Sequence, residues 1–136
     1  MIDIIEFEIG AKSRGFHLIT QEILENIPNL PAEGLLHVFC KHTSAGICIN
    51  ENADPDVRHD YNFIFNKLVP ENIPGLKHTI EGPDDMPAHI KTTLTGSDVT
   101  IPIKLGKLNL GTWQGIYLCE FRNRASNRKI VATLIS

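Results

Sequence analysis

His42-Thr-Ser-Ala-Gly-Ile-Cys-Ile-Asn-Glu-Asn-Ala-Asp-Pro-Asp-Val57 is the stretch around which the rest of the chain is organised. It carries an imidazole, two hydroxyls, two carboxamides and three carboxylates. Between them Ile47 and Ile49 flank Cys48, an apolar alternation typical of a strand. Polar groups at strand ends are held by a rigid scaffold and face solvent. The stretch therefore predicts a strand with chemically useful side chains at both ends.

A helix start follows this strand. Asp54 can accept a hydrogen bond from the first turn, and Pro55 suits the first helical position because it has no N–H to satisfy. The helix N-terminus, with its partial positive charge, is expected to point at the polar cluster. Pro70 should end the helix, and its inward stripe is predicted to be Val57, Tyr61, Ile64, Phe65 and Leu68.

The composition limits the class of protein. With 136 residues and 42% apolar content, the chain has room for one core, so we expect a single domain over residues 1–136. A net charge of -3 argues against a nucleic-acid surface, and no basic run indicates membrane binding. The cysteines, which lack paired spacing, predict buried thiols in a reducing compartment. Without the apolar run of a signal peptide, a cytoplasmic location is expected.

The remaining pattern predicts an α+β fold with a mainly antiparallel sheet, layered as a sandwich, and two to three helices. Thr20 is expected to cap a short helix to Asn26, and Asp85 with Pro87 to begin a helix that ends at Gly96. The loop before that helix is long enough to predict a functional role. Strands are expected at Ile2 to Ile9, Gly15 to Thr20, Gly34 to Lys41, Ala45 to Asn50, Val99 to Lys104, Gly115 to Phe121 and Lys129 to Leu134.

Two of these strands are expected to be neighbours. The segment from Gly34 to Lys41 reads as a buried strand that delivers His42 at its end. Ser44-Ala45-Gly46 would then form a turn, and Ala45 to Asn50 would return beside it.

Three histidines form the first candidate site. His42, His78 and His89 could together bind a divalent metal, since neutral imidazole is the commonest zinc ligand and three ligands leave an open catalytic position. Their spacing matches no compact metal motif. The alternative is that they are ordinary hydrogen-bonded or solvent-facing histidines.

Carboxylates form the second candidate site. Glu51, Asp54 and Asp56 could bind Mg²⁺ or perform acid–base chemistry. Capping already accounts for Asp54, and the helix dipole favours Asp56 in the first turn. Glu51 has no such structural explanation in the sequence.

The third group lies near the end of the chain. Trp113 between two glycines could stack on a ring-shaped ligand, and Gln114 offers both a donor and an acceptor. Arg122 and Arg128 could hold a phosphate in forked hydrogen bonds. A hydrophobic plug for Trp113 and surface charge for the arginines are the alternatives. The sequence around Ser44 lacks the first glycine of a nucleophile elbow, so a serine hydrolase is not indicated. The chain also has no Gly-rich phosphate loop and no dinucleotide-binding fingerprint.

Several strings of residues together resemble the YjbQ family, whose members are described as secondary thiamine-phosphate synthases. The strings are His42-Thr-Ser-Ala-Gly, Asn50-Glu-Asn-Ala-Asp-Pro-Asp-Val57, Glu81-Gly-Pro-Asp-Asp-Met-Pro-Ala-His-Ile-Lys91, Gly111-Thr-Trp-Gln-Gly115 and Cys119-Glu120. The likeness covers nearly the whole chain. It implies a homotrimer and a transfer reaction that joins a pyrimidine diphosphate to a thiazole phosphate and releases pyrophosphate.

We hypothesise roles for these motif residues that fit the implied reaction. A Mg²⁺ or Zn²⁺ ion would stabilise the leaving pyrophosphate, Trp113 would stack on the pyrimidine, and Arg122 would bind phosphate. Two alternatives stay open: a metal-dependent hydrolase or lyase, and a non-catalytic trimer that binds a small phosphorylated metabolite. The candidate catalytic residues are His42, Glu51, Asp56 and Glu120. The candidate substrate-binding residues are Thr43, Ser44, Trp113, Gln114, Arg122 and Arg128.

Overall fold

The computed structural model describes residues 1–136 and has eight strands and three helices. The strands are β1 (Ile2–Ile9), β2 (Gly15–Leu18), β3 (Glu33–Cys40), β4 (Ala45–Glu51), β5 (Asp98–Lys104), β6 (Lys107–Leu108), β7 (Gln114–Glu120) and β8 (Arg128–Ile135). The helices are α1 (Thr20–Asn26), α2 (Pro55–Leu68) and α3 (Asp85–Thr95). The fold class is thus the expected α+β, in a single domain.

The strands form two antiparallel sheets. The larger has the order β1-β8-β3-β5-β6, and the smaller has the order β2-β7-β4. The main core lies between them, with Leu36 and Ile130 from the large sheet and Ile47 and Leu118 from the small one. Such two-layer burial is the usual way for half-apolar sheets to leave water. The predicted sandwich is therefore confirmed.

A third layer of helices covers the outer face of the small sheet. Phe16, Tyr117 and Phe121 project from this face and meet Tyr61 and Phe65 of α2. Phe16 stacks on Tyr61 with ring centroids 5.1 Å apart, and it meets Phe65 edge-on at the same distance. These aromatic contacts fix α2 on the sheet. The small sheet is consequently buried on both faces.

The structure corrects the expected pairing of β3 and β4. β4 pairs with β7 in the small sheet, whereas β3 lies between β5 and β8 in the large one. Residues 41–44 therefore cross from one sheet to the other and do not form a hairpin turn. β3 also alternates between buried and exposed residues, because only its inner face meets the core.

Two helix predictions also need correction. Thr20 does not cap α1, since its hydroxyl accepts a hydrogen bond from Ile116 N at 2.9 Å and ties the helix to β7. On α2, Asp54 is the cap and Pro55 begins the helix as expected, but Ile64 is 51% and Leu68 65% exposed. The inward stripe is narrower than predicted because polar Asn66 occupies part of the inner face, where it accepts a bond from buried Lys91.

Gly46 sets the distance between β4 and α3. A Cβ at this position would lie 2.1 Å from Thr95 Oγ1 and 2.7 Å from the carbonyl oxygen of Gly96. The neighbouring Ile47 N donates to that carbonyl at 3.1 Å, so the backbone there has little freedom to withdraw.

We therefore expect Gly46→Ala to lower the free energy of unfolding by about 1–3 kcal/mol, the usual cost of overpacking. Urea denaturation would measure it. Gly10→Ala is the matched control, because a Cβ at Gly10 meets nothing within 4 Å. Equal stability of the two variants would contradict the close approach of β4 and α3.

Candidate functional site

Helix α3 presents two potential ligands on one face. Asp85 is the first residue of α3, and His89 follows one turn later, where residues four apart are neighbours. His78 comes from the preceding loop and completes a cluster whose ligand atoms all lie within 4.8 Å of one another. We name this set, His78, Asp85 and His89, the His–Asp–His cluster.

Both imidazoles converge on one carboxylate oxygen. Oδ2 of Asp85 lies 2.6 Å from Nε2 of His78 and 3.0 Å from Nε2 of His89. The Asp85 side chain is only 3% exposed, whereas that of His78 is 44% exposed. The cluster therefore has a buried anionic centre and an outer edge that faces solvent.

The hydrogen bond made by Nδ1 of His89 determines which of the two ring nitrogens carries the hydrogen. Nδ1 lies 2.9 Å from the carbonyl oxygen of Thr43. A carbonyl only accepts, so Nδ1 carries the hydrogen, and Nε2 of the neutral ring presents a lone pair. That lone pair faces the Asp85 oxygen, which is also an acceptor. The contact needs a positive charge, either a proton on His89 or a cation shared with Asp85.

A metal ion satisfies this requirement well. A backbone carbonyl that fixes one ring N–H and frees the other nitrogen is the outer-shell arrangement typical of histidine ligands. Two imidazoles and one carboxylate suit Zn²⁺ and similar ions better than Mg²⁺, which prefers oxygen ligands. The donor set therefore fits a divalent transition metal.

Arg122 holds the other side of Asp85. Its Nη1 donates to Asp85 Oδ1, its Nε donates to Asp84 Oδ2 at 3.0 Å, and its Nη2 donates to the carbonyl of Glu81. Burial alone would raise the pKa of Asp85, but the hydrogen bond from His78 and the charges of His89 and Arg122 outweigh it and lower the pKa to about 2. Asp85 is thus anionic at neutral pH, with Oδ2 left for the histidines.

A polar cavity of about 620 Å³ adjoins the cluster. It is lined entirely by polar residues and glycine, and His89 belongs to both the cavity and the cluster. A ligand in the cavity would therefore lie beside any cation bound to His89. The lining residues are His42, Thr43, His89, Thr92, Thr93, Gly96 and Ser97.

The structure does not bring His42 into the cluster. Its Nε2 accepts a hydrogen bond from Lys129 N at 2.7 Å, and Asp85 occupies the third position that His42 was expected to fill. Burial, with the nearby charge of Arg128, lowers the pKa of His42, so its ring is neutral at pH 7. Since Nε2 accepts, Nδ1 carries the hydrogen and is a donor. His42 lies on the cavity wall with His89.

Glu120 and Arg128 form a buried ion pair near His42. Arg128 Nε donates to Glu120 Oε1 at 2.7 Å, and its Nη2 donates to Glu120 Oε2 and to Ser44 Oγ at 3.1 Å. Glu120 is fully buried and also accepts from Arg122 N. The carboxylate oxygens of Glu120 were expected to act as a base, and the guanidinium of Arg128 was expected to bind phosphate. Both groups are instead bound to each other and to neighbouring protein groups.

The remaining candidates lie at the opposite end of the small sheet. Ala45 pairs with Glu120 at one end of β4, and Glu51 pairs with Gln114 at the other. Six residues of strand separate these ends by roughly 20 Å. Glu51, Asp56, Trp113 and Gln114 therefore do not join the His–Asp–His cluster.

Each of these four residues has a local environment of its own. Glu51 Oε2 accepts from the backbone N–H groups of Ala53 and Asp54, which supplies the structural reason that the sequence lacked. Gln114 Oε1 accepts from Gly111 N and closes the turn. Trp113 is 64% exposed, and Asp56 is exposed in the first turn of α2.

Sequence reasoning missed Asp84 and Asp85 as site residues. Asp85 was expected to cap α3, but α3 has no side-chain cap and begins at Asp85 itself. The available signal was the spacing of Asp85 and His89, which puts a carboxylate and an imidazole on one helical face.

The fold and the cluster together define a two-sheet α+β domain with a candidate metal centre beside a polar cavity. Residues 5–136 match the family model for UPF0047 protein YjbQ-like. The chain is 48% identical to UPF0047 protein YjbQ of Escherichia coli O157:H7 over 128 residues, which cover 93% of this chain and 92% of that protein. The chain belongs to the YjbQ/UPF0047 family.

Solved structures agree with this assignment. An uncharacterized conserved YjbQ/UPF0047 family protein from Clostridium acetobutylicum matches with a TM-score of 0.82 and 41% identity, covering 96% of this chain and 99% of that one. A conserved hypothetical protein from Thermus thermophilus matches with a TM-score of 0.82 and 30% identity, covering 97% and 99%. The names of these relatives state no activity.

None of the three helices has the length and apolar content that would let it cross a membrane.

Proposed function

We propose that this protein is a metal-dependent enzyme in which His78, Asp85 and His89 bind a divalent cation and the adjacent polar cavity holds a small substrate. The observation that carries the proposal is the 3.0 Å contact between His89 Nε2 and Asp85 Oδ2, which needs a positive charge because Nδ1 of His89 is committed to the carbonyl of Thr43. Ligand atoms around Zn²⁺ lie roughly 3.3 Å apart in a tetrahedral site with bonds of about 2.0–2.1 Å. The two contacts of Asp85 Oδ2, 2.6 Å to His78 and 3.0 Å to His89, are shorter, so the ligands would move apart to admit an ion.

Three protein ligands leave at least one coordination position open. A metal in such a site polarises a substrate oxygen or lowers the pKa of a bound water. This chemistry supports a hydrolase or lyase. His42 also lines the cavity and carries a hydrogen on Nδ1, which would donate a hydrogen bond to the substrate. Arg122 would orient Asp85, and Arg128 with Glu120 would hold Ser44, the residue after Thr43 of the cavity lining.

The thiamine-phosphate synthase-like transfer reaction is the second candidate. It is favoured by the position of the cluster beside a polar cavity, because a bound cation would stabilise the charge on a departing pyrophosphate. The arginines expected to hold phosphate are weaker support, since Arg122 and Arg128 are both paired with carboxylates. A non-catalytic trimer that binds a phosphorylated metabolite is the third possibility.

We also propose that the protein is a homotrimer in the cytoplasm. An apolar groove of about 300 Å³ runs between the end of α2, the following loop and α3, and its lining includes Leu68, Ile73, Leu76 and Ile90. These side chains are 36–65% exposed, and contiguous exposed apolar surface is typical of subunit interfaces. Light scattering on the purified protein would test the trimer.

The three unpaired cysteines support the proposed cytoplasmic location, because free thiols are typical of a reducing compartment.

The metal-dependent function is tested by stripping the protein with a chelator and reloading it with Zn²⁺, Mn²⁺ or Mg²⁺. Each form is assayed with a panel of small esters, lactones and phosphorylated metabolites, and with the two phosphorylated halves of thiamine phosphate. We expect turnover that requires the metal and falls at least about 100-fold in His89→Ala. Thiamine phosphate as product would select the transferase, and ligand binding without turnover would select the non-catalytic trimer. Failure to bind any metal would refute the proposal.

A further inference from the structure

Two cysteines lie side by side on the outer face of the small sheet. Cys119 of β7 is opposite Gly46 of β4, and Cys48 is opposite Tyr117. Cys48 and Cys119 are therefore diagonal neighbours on one face, close enough for their side chains to meet. Their Sγ atoms are 3.5 Å apart. Gly46 has no side chain, so β4 places none directly opposite Cys119, and the residue opposite it on the other neighbouring strand, β2, is Phe16.

The two thiols differ in their surroundings. Cys119 is fully buried in the aromatic cluster with Phe16, Tyr117 and Phe121, whereas Cys48 lies at the margin of that cluster and is partly exposed. A partly exposed thiol beside a buried partner is the arrangement in which one cysteine meets an oxidant and the other resolves the product.

The hydrogen bond between the thiols also distinguishes them. Donation from Cys119 lowers the pKa of Cys48, while burial raises the pKa of Cys119. The thiolate is the nucleophilic form of cysteine. Cys48 is therefore the better attacking group of the two.

We infer that Cys48 and Cys119 form a peroxide-reactive dithiol site, separate from the His–Asp–His cluster. The Cys48 thiol loses its proton to solvent, and the thiolate attacks one oxygen of hydrogen peroxide. The O–O bond breaks, Cys48 becomes a sulfenic acid, and the leaving hydroxide takes a proton from solvent to become water. The Cys119 sulfur then attacks Cys48, the S–O bond breaks, and hydroxide leaves with the Cys119 proton as water. Overall the two thiols lose two electrons and two protons, and one hydrogen peroxide becomes two waters.

The second step requires the two strands to draw together. A disulfide has an S–S bond of about 2.05 Å, so the sulfurs must approach by roughly 1.5 Å. Diagonal neighbours lie about 7–8 Å apart, whereas bridged cysteines have Cα atoms within about 7 Å, so β4 and β7 must shift slightly as the bond forms. Cys40 cannot take part, because it is buried in the core between the sheets and its thiol donates to the carbonyl of Ala45. Cys40 is thus an internal control. This inference does not depend on the proposed metal chemistry.

The test treats reduced, chelator-washed protein with stoichiometric hydrogen peroxide. The protein is then denatured and alkylated, and its peptides are analysed by mass spectrometry. We expect the number of alkylated thiols to fall from three to one, a mass loss of two hydrogens, and a peptide that links Cys48 to Cys119 and is released by dithiothreitol. Cys40→Ser should still form the link.

Two variants separate the steps. In Cys119→Ser, the sulfenic acid at Cys48 should persist and be trapped by dimedone, while Cys48→Ser should protect Cys119 from oxidation. The inference is overturned if all three thiols of the protein are still alkylated after a peroxide treatment that fully oxidises a small-molecule thiol. A link through Cys40, or oxidation of Cys119 in Cys48→Ser, would also overturn it.

Discussion

Asp85→Asn is expected to abolish divalent-cation binding. The substitution preserves the shape of the side chain but removes the negative charge on which His78, His89 and Arg122 converge. Loss of an outer-shell partner alone typically weakens metal affinity by 10–100-fold. Removal of an anionic ligand should therefore cost at least about 100-fold. Isothermal titration calorimetry with Zn²⁺ and Mn²⁺ measures the effect.

Asp60→Asn is the matched control for this experiment. Asp60 lies on α2 and contacts His59 Nδ1 at 3.0 Å, but both side chains are at least 67% exposed. No third ligand joins that pair in a metal-binding group. We expect the control to bind as the parent does. Equal affinity of Asp85→Asn and the parent would show that Asp85 is not a ligand.

Glu120→Gln is expected to lower the free energy of unfolding by about 3–5 kcal/mol, because it leaves the buried Arg128 without its counter-charge. The Glu120 and Arg128 side chains are 0% and 6% exposed. Two guanidinium nitrogens bond to the carboxylate, so the amide can replace only part of the pair. Urea denaturation at pH 7 is the measurement.

The comparison for this variant is Glu6→Gln. Glu6 pairs with Lys41 at 3.1 Å, but the two side chains are 62% and 45% exposed. Exposed pairs contribute about 0–1 kcal/mol, so the control should be nearly neutral. If both variants unfolded at the same urea concentration, the Glu120–Arg128 pair would have no special structural role.

Much of the secondary structure follows from local sequence. The alternation in β1 and β8, the Asp54-Pro55 start of α2 and the Gly96 end of α3 are each determined by neighbouring residues. The assignment of β4 to a separate sheet could not be predicted from them. Strand pairing depends on long-range contacts, and β4 finds its partner β7 more than sixty residues away.

The candidate site was predicted only in part. Among the expected metal ligands, His78 and His89 meet at Asp85. The four-residue spacing of Asp85 and His89 was the available signal for the carboxylate, whereas the approach of His78 depends on how the preceding loop folds. Arg122 and Glu120 were singled out for their charge, which the sequence shows. Each charge has an ion-pair partner in the structure, and that partner limits its ability to bind a substrate or act as a base. The pairing depends on how the end of β7 packs against α3 and β8, which local sequence does not show.

One metal ion is expected to bind at the His–Asp–His cluster. Anomalous X-ray diffraction from crystals of the zinc-loaded protein tests it most directly. The expected result is one peak about 2.0–2.2 Å from His78 Nε2, Asp85 Oδ2 and His89 Nε2. No peak at saturating zinc, or a peak only among Glu51, Asp54 and Asp56 at the other end of the small sheet, would contradict the account.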